Sequence, residues 1–428
     1  MQLVEQHVID WCDPRHAVID EAAFKSKNLY NAALYEIRQA FIHKGVYLPY
    51  EAMDKRMQSH EAYQALPTKV SQQVLILLHK NWLAFFEALK AYKADPSKFT
   101  GRPRLPKYKH KTEGRNILVY TLQALSGGQT LHKGRGKKNA LRQGIIKPSM
   151  LPIEVKTQQD PKQIDQVRII PRNGHYVVEV VYSKKPVQAP VDHSYCVAID
   201  LGVTNLAAIT SNRAGFIPRL VNGRTLKSIN QWYNKRMKEL KLRLPKAERE
   251  RVTKQMERIT THRNRQVNHY LHAASKAIID FLVKEGVGTI IVGKNPLWKQ
   301  EASMGRRNNQ NFVQIPHARF IDMLMYKAEL VGIQVKLQEE SYTSKASFVD
   351  LDPIPTYKPN DKIEHIFSGK RIGRRNRLYR TKDGRKICAD VNGSYNILRK
   401  SKPDAFAYAD AKGIAAYVVQ PARLAITV

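Results

Sequence analysis

Two carboxylates, far apart in a chain of 428 residues, stand where metal-dependent chemistry would need them. Asp200 closes the apolar, strand-forming run Tyr195-Cys196-Val197-Ala198-Ile199 and is followed by Leu201-Gly202-Val203-Thr204-Asn205. A strand ending on an acid delivers that acid to a sheet edge, and the nearby glycine lets backbone and phosphate approach closely. Asp390 opens Asp390-Val391-Asn392-Gly393-Ser394-Tyr395-Asn396-Ile397-Leu398, read as a helix. Phosphodiester hydrolysis by two Mg²⁺ ions ~4 Å apart needs converging carboxylates of this kind, because Mg²⁺ takes hard oxygen ligands. Read alone, an Asp in the place of Asp200 is more often a capping or turn residue of a buried strand.

The elements that must position these acids follow from periodicity. Strands are expected over 195–201, 205–210 and 215–220, with a turn at Ser211-Asn212-Arg213-Ala214. Helices are expected over 225–243 and 245–285, the second carrying Val267, Tyr270, Leu271, Ala274, Ile278 and Phe281 on one face and stopping at Gly286. A buried strand over 287–292, a helix over 316–331 stopped by Gly332, and a strand alternating Ile333, Val335 and Leu337 come next. This order, βββαβαβ and then a basic insertion and a helix from Asp390, is that of the RNase H fold, with sheet order 3-2-1-4-5. In that fold a third acid usually ends the fourth strand, but this chain has Val292-Gly293-Lys294-Asn295 there. Glu340, at the end of the next strand, is the replacement we expect, reaching across a strand tip that Gly293 leaves bare. Glu339 is the rival, since alternate strand residues face opposite ways and only one can join Asp200. A solvated Glu-Glu pair is the plain alternative.

The first half changes period. Residues 1–10 alternate as a strand, 22–42 have helical spacing, and Val70, Val74, Leu75, Leu78, Trp82, Phe85 and Leu89 form an apolar stripe, read as core with base stacking as the alternative. Two prolines exclude helix from Gly101-Arg102-Pro103-Arg104-Leu105-Pro106-Lys107-Tyr108-Lys109-His110. Arg102, Arg104, Lys107 and Lys109 make it a stiff basic arm suited to a phosphate backbone, with Tyr108 free to stack, or else a solvated linker. Strands are expected over 117–120, 166–170 and 175–183, the last two joined by a type I′ turn at Asn173-Gly174. Residues 127–147, with Lys133, Arg135, Lys137, Lys138 and Arg142, read as a flexible basic loop. The fold class is therefore α/β plus α+β. A small β-barrel (1–10 and 99–190) is interrupted by a helical insert (11–98), and an RNase H-like domain (191–346 and 387–428) by a basic insertion (347–386).

Charge narrows the partners. Lys and Arg number 72 against 37 Asp and Glu, a formal net charge of +35, over an ordinary 43% hydrophobic content. So basic a chain repels itself unless it lies on a polyanion, and without an apolar run of ~18 residues or a lipidation signal that polyanion is nucleic acid rather than membrane. Cys12, Cys196 and Cys388 lie too far apart in sequence for a thiolate zinc site or a disulfide framework. A reducing, cytoplasmic and nucleoid-associated location is expected.

Seven stretches in order resemble the TnpB family, the RNA-guided nucleases encoded by small bacterial transposons and ancestral to type V CRISPR effectors. They are Lys27-Asn28-Leu29-Tyr30-Asn31, the arm from Gly101 to Lys109, Gln166-Val167-Arg168-Ile169-Ile170-Pro171, Asp200 to Asn205, Asn308-Asn309-Gln310-Asn311-Phe312, Tyr342-Thr343-Ser344-Lys345 and Ala389-Asp390-Val391-Asn392-Gly393. The resemblance implies that Asp200 and Asp390 are the first and third RuvC carboxylates. It also implies that the second has moved, as in one branch, to three residues before a Thr-Ser pair, which here is Glu340. Many members insert a zinc ribbon between the last two motifs, but 347–386 holds no cysteine. That insertion is expected to hold by packing and to load substrate through Lys370, Arg371, Arg374, Arg375, Arg377 and Arg380, with a solvated charge run as the alternative. The function implied by the resemblance is that of an RNA-guided DNA endonuclease using Mg²⁺ or Mn²⁺ and no zinc, with guide RNA and target double-stranded DNA as partners. A nuclease-inactive RNA-guided repressor and a transposase acting without RNA are the rivals.

Overall fold

The computed structural model describes residues 1–130, 140–295, 310, 313–357, 364–373, 377–406, 417 and 419–427. Lys133, Arg135, Lys137, Lys138, Asn308, Asn309, Asn311, Phe312, Arg374 and Arg375, singled out above, lie outside the described residues. The chain divides into two compact units, Met1–Lys184 and Lys185–Val428.

In the first unit, β1 (Gln2–Asp10) leads into helices α1 (Arg15–Lys44), α2 (Tyr50–Met57), α3 (Glu61–Gln64) and α4 (Thr68–Ala94). Strands β2 (Leu118–Thr121), β3 (Ile145–Ile146), β4 (Val155–Lys156), β5 (Ile164–Arg172) and β6 (His175–Ser183) follow. Four of them form an antiparallel sheet in the order β1-β6-β5-β2, and β3 pairs with β4. The apolar stripe of α4 is core: Val70, Val74, Leu75, Leu78 and Trp82 are buried, and Trp82 meets Phe41, Tyr47, Phe85 and Phe86 at ring distances of 5.2–5.9 Å. Arg168 and Glu179 sit opposite each other on β5 and β6 and pair at 2.9 Å, so Arg168 of the Gln166–Pro171 stretch is a cross-strand tie. The hairpin between these strands is not type I′. Only Gly174 takes a left-handed backbone (φ +70°), whereas type I′ needs positive φ at both central residues, Asn173 included.

The second unit opens with β7 (Asp192–Leu201), β8 (Asn205–Ser211) and β9 (Arg219–Asn222), then α5 (Arg224–Leu242) and α6 (Lys254–Lys284). Helix α6 starts later than expected, because Thr253 caps it through Met256 N and a 3₁₀ turn takes up Lys246–Glu248. Next come β10 (Val287–Gly293), α7 (His317–Glu329), β11 (Gln334–Gln338), the short strands β12 (Lys370–Ile372), β13 (Leu378–Arg380) and β14 (Lys386–Cys388), α8 (Ala389–Ser401) and β15 (Ala422–Arg423). The main sheet runs β11-β10-β7-β8-β9-β15, which is the expected 3-2-1-4-5 order with one strand more, β15 pairing parallel to β9. Strand β9 falls later than the expected 215–220, and Leu337 of the edge strand β11 is 48% exposed. Helix α8 is buried from Ala389 to Leu398. Its Tyr395 stacks on Phe348 at 4.2 Å, beside Phe406 and Tyr417.

Candidate metal centre and basic surfaces

Strand β7 is buried from Cys196 to Ile199 and delivers Asp200 to the carboxyl-terminal edge of the sheet. The parallel pairing of β7 with β10 sets Ile199 opposite Val292, and that of β10 with β11 sets Gly293 opposite Gln338. The chain leaves β11 and reaches Glu340 two residues later, its N–H donating to Asn295 Oδ1 at 3.0 Å. A β-carbon at position 293 would collide with Glu340 Oε2 and come within 2.6 Å of Ile397 Cδ1, so the glutamate carboxylate occupies space that a side chain there would fill. Asp390 enters in the first turn of α8, 6% exposed. Gly393, one turn on, lets that helix lie against Asp200, since a β-carbon there would stand 2.9 Å from Asp200 Oδ2.

The electrostatics tie the three acids together. Burial first, then the charges of Glu340 and Asp390, push the Asp200 carboxyl well above its ordinary range, while Arg377 and Arg371 pull it back. Glu340 is pushed up to about 7 by burial and by neighbouring Glu339, against the pull of Lys400. Glu339 points elsewhere: it is ion-paired with Lys400 and accepts from the N–H of Ser341 at 2.6 Å.

An all-carboxylate donor set of this kind suits a hard divalent cation. Among the described residues, however, no group of three His, Cys, Asp or Glu side chains is gathered closely enough to hold an ion. Asp390 has other partners: Oδ1 lies 2.7 Å from Arg377 Nη2, and Oδ2 accepts from Asn205 Nδ2 at 2.7 Å. The residues fit in kind, and Asp390 must exchange a partner to join them.

The polar residues around Asp390 explain its motif. Asn392 accepts from Phe348 N and donates to Ala346 O, both at 2.8 Å, and Asn396 donates to Thr343 O and Ala346 O at 2.9 and 2.7 Å. Ser394 donates to Ala198 O on β7 at 3.0 Å. Helix α8 is thus tied both to the turn that follows Glu340 and to the strand that carries Asp200. Asn205 as the partner of Asp390 was missed in the sequence, although it ends the Asp200 motif; side-chain amides flanking paired acids were the available signal.

The basic candidates separate by placement. In the first unit Arg102, Arg104, Lys107 and Tyr108 are exposed, Tyr108 lying under the Arg38 guanidinium at 5.0 Å. Lys109 is different: its ammonium lies over the Tyr30 ring at 5.3 Å, and burial lowers its pKa. Asn31 both donates to Lys109 O and accepts from Lys109 N at 2.9 Å, and Lys27 Nζ donates to Lys111 O at 2.6 Å. The stretch from Lys27 to Asn31 is therefore a clamp on the arm. A cleft of about 380 Å³ beside it is lined by Tyr30, Asn81, Phe85, Arg104 and Lys107 among others. In the second unit Lys370, Arg371 and Arg380 are exposed on the sheet β12-β13-β14, while Arg377 turns to Asp390 rather than to solvent.

Comparison with known proteins adds two family matches. The OrfB_IS605 model, described as a probable transposase, matches residues 175–298, and the Cas12f1-like TNB domain matches residues 317–397. No curated protein matches the chain. Among solved structures, a Cas12f1–sgRNA–target DNA complex is 15% identical over 89% of this chain and 82% of that one, with a TM-score of 0.50, a likeness of fold alone. The mini-RNA-guided endonuclease CRISPR-Cas phi3 is 9% identical over 94% and 92%, with a TM-score of 0.42. The first model takes in the strand that ends on Asp200 and the second the turn of Glu340 and the helix of Asp390, so the chain is similar to these two families over the stretches that carry the three acids.

Proposed function

We propose that this chain is an RNA-guided DNA endonuclease whose second unit is a RuvC-like, RNase H-type domain hydrolysing phosphodiesters with Mg²⁺ or Mn²⁺. The observation that carries the reading is the occupation of the space above Gly293 by the Glu340 carboxylate, next to the strand of Asp200 and the helix of Asp390. Asp200, Glu340 and Asp390 would hold the cation, which supplies charge that activates water and steadies the leaving oxygen. Asn205 orients Asp390, Lys400 keeps Glu339 out of the set, and Glu340, with its pKa near 7, holds a proton part of the time when no cation is bound. Lys370, Arg371 and Arg380 offer cations to a phosphate backbone, as do Arg102, Arg104 and Lys107 of the arm. The Cas12f1 structure is a complex with an sgRNA and target DNA, and guide RNA with target double-stranded DNA is the pair we assign here. On this reading the four-stranded sheet belongs to a wedge-like barrel, the helices α1–α4 to a recognition insert, and the protein acts in the cytoplasm on nucleoid DNA. Base pairing then reads sequence while the protein grips the backbone.

One observation favours a second reading, a nuclease-inactive RNA-guided repressor: Arg377 occupies Asp390 and no described acidic trio is gathered. A cleavage panel separates the two. The protein with its copurifying RNA should cut matched DNA in Mg²⁺ or Mn²⁺, and Asp200→Ala, Glu340→Ala and Asp390→Ala should each lose roughly a hundredfold or more while keeping the RNA. Glu339→Ala should still cut. Wild type that binds RNA and matched DNA but never cuts would establish the repressor.

A further inference from the structure

Asp390 is buried yet held by a contact with several weak points. Its side chain is 7% exposed against 28% for Arg377, and Arg371 Nη2 stands farther off at 3.9 Å. Arg377 stands on left-handed backbone (φ +49°), a conformation that L-residues rarely adopt and that strains them. Its carbonyl accepts from Ala389 N at 2.8 Å, fixing the residue next to Asp390. Its Nε is buried without a hydrogen-bond partner, so the guanidinium grips Asp390 through one nitrogen rather than through a two-pronged fork. Backbone strain and an unused buried donor oppose this contact, and charge holds it. A phosphate, with more acceptor oxygens, would satisfy the guanidinium better, and Lys370, Arg371 and Arg380 stand exposed on the small sheet whose middle strand begins just after Arg377, placed to bring one near.

A guanidinium and a divalent cation cannot share Asp390 Oδ1. We propose that Arg377 is a positioning residue, a tethered counter-ion that keeps Asp390 from metal in the free chain and leaves it when nucleic-acid phosphate draws the guanidinium away. Metal binding and nucleic-acid binding then reinforce each other, each tightening the other by the same factor. The inference rests on the reading of Asp200, Glu340 and Asp390 as the cation's ligands.

The test is Mn²⁺ affinity, read by titration calorimetry on the full chain with and without a cleavage-resistant phosphorothioate single-stranded DNA. Without DNA, Arg377→Gln should bind Mn²⁺ about tenfold more tightly than wild type, with Arg377→Lys between them. DNA should tighten the wild type by a similar factor and leave Arg377→Gln unchanged. A folded Arg377→Gln protein with wild-type or weaker affinity overturns the proposal, as does a wild type indifferent to DNA, and if the variant fails to fold the wild-type comparison decides alone. Asp200→Asn separates the layers. If it binds Mn²⁺ like wild type, the metal-site reading falls and takes the inference with it; if it loses Mn²⁺ while neither Arg377→Gln nor DNA has any effect, only the counter-ion falls.

Discussion

At Glu340 the carboxyl is pushed up to about 7, from an ordinary 4.5, and that fixes how stability responds to pH. Below about 4.5 the group is protonated whether the chain is folded or not. Between about 4.5 and 7 the unfolded chain releases a proton that the folded chain keeps, so the metal-free protein loses stability as pH rises, by about 3 kcal/mol at neutrality. The raised Asp200 acts in the same direction. Thermal unfolding of metal-free protein from pH 4.5 to 7.5 should show this decline, Glu340→Gln should flatten it, and Mn²⁺ should raise the midpoint more at pH 7 than at pH 5. The placement of two of these acids was legible from the residues alone, Asp200 at a strand end from its apolar run and Glu340 over Gly293 from the bareness of that glycine. Arg377 was not. Within a run of basic residues nothing distinguishes the one whose left-handed backbone turns it inward.

At the scale of elements, strands buried on both faces and helices with one apolar stripe gave clear periodicities, and β7, β8, β10, α4 and α5 lie close to where those periodicities end, whereas α1 begins at Arg15, seven residues before the expected start. The misplaced boundaries have local causes. A 3₁₀ turn and a threonine cap delay α6, and an asparagine that stays out of the left-handed region changes the turn type at Asn173-Gly174. Strand β15 is too short for any period to announce it. The joint between β10 and α8 is the tightest place around the acids, so Gly293→Ala should cost about 1–3 kcal/mol as its new β-carbon meets Glu340 and Ile397. Denaturant unfolding would register that loss. On the proposed function the same variant should cut poorly, because the new β-carbon displaces the Glu340 carboxylate from the space above residue 293.

On the proposed function, the excess of 35 positive charges across the whole molecule sets affinity for nucleic acid more than any single contact does. Binding should weaken with salt along a log-log slope of roughly 0.7 to 0.9 per phosphate neutralised. Arg104→Ala and Lys107→Ala should each shallow that slope by about one. Lys109→Ala should leave the slope alone and lower stability, because its ammonium rests on Tyr30. Among the described residues no helix is long and apolar enough to cross a membrane. The clamp formed by Lys27, Tyr30 and Asn31 bears on the same affinity. Ordering a loose segment costs about 1–2 kcal/mol per residue, and an arm already fastened to a long helix has met that cost when the chain folded. Its cations greet a polyanion as a rigid comb, so loosening the teeth at Asn31 would weaken capture without removing a single charge.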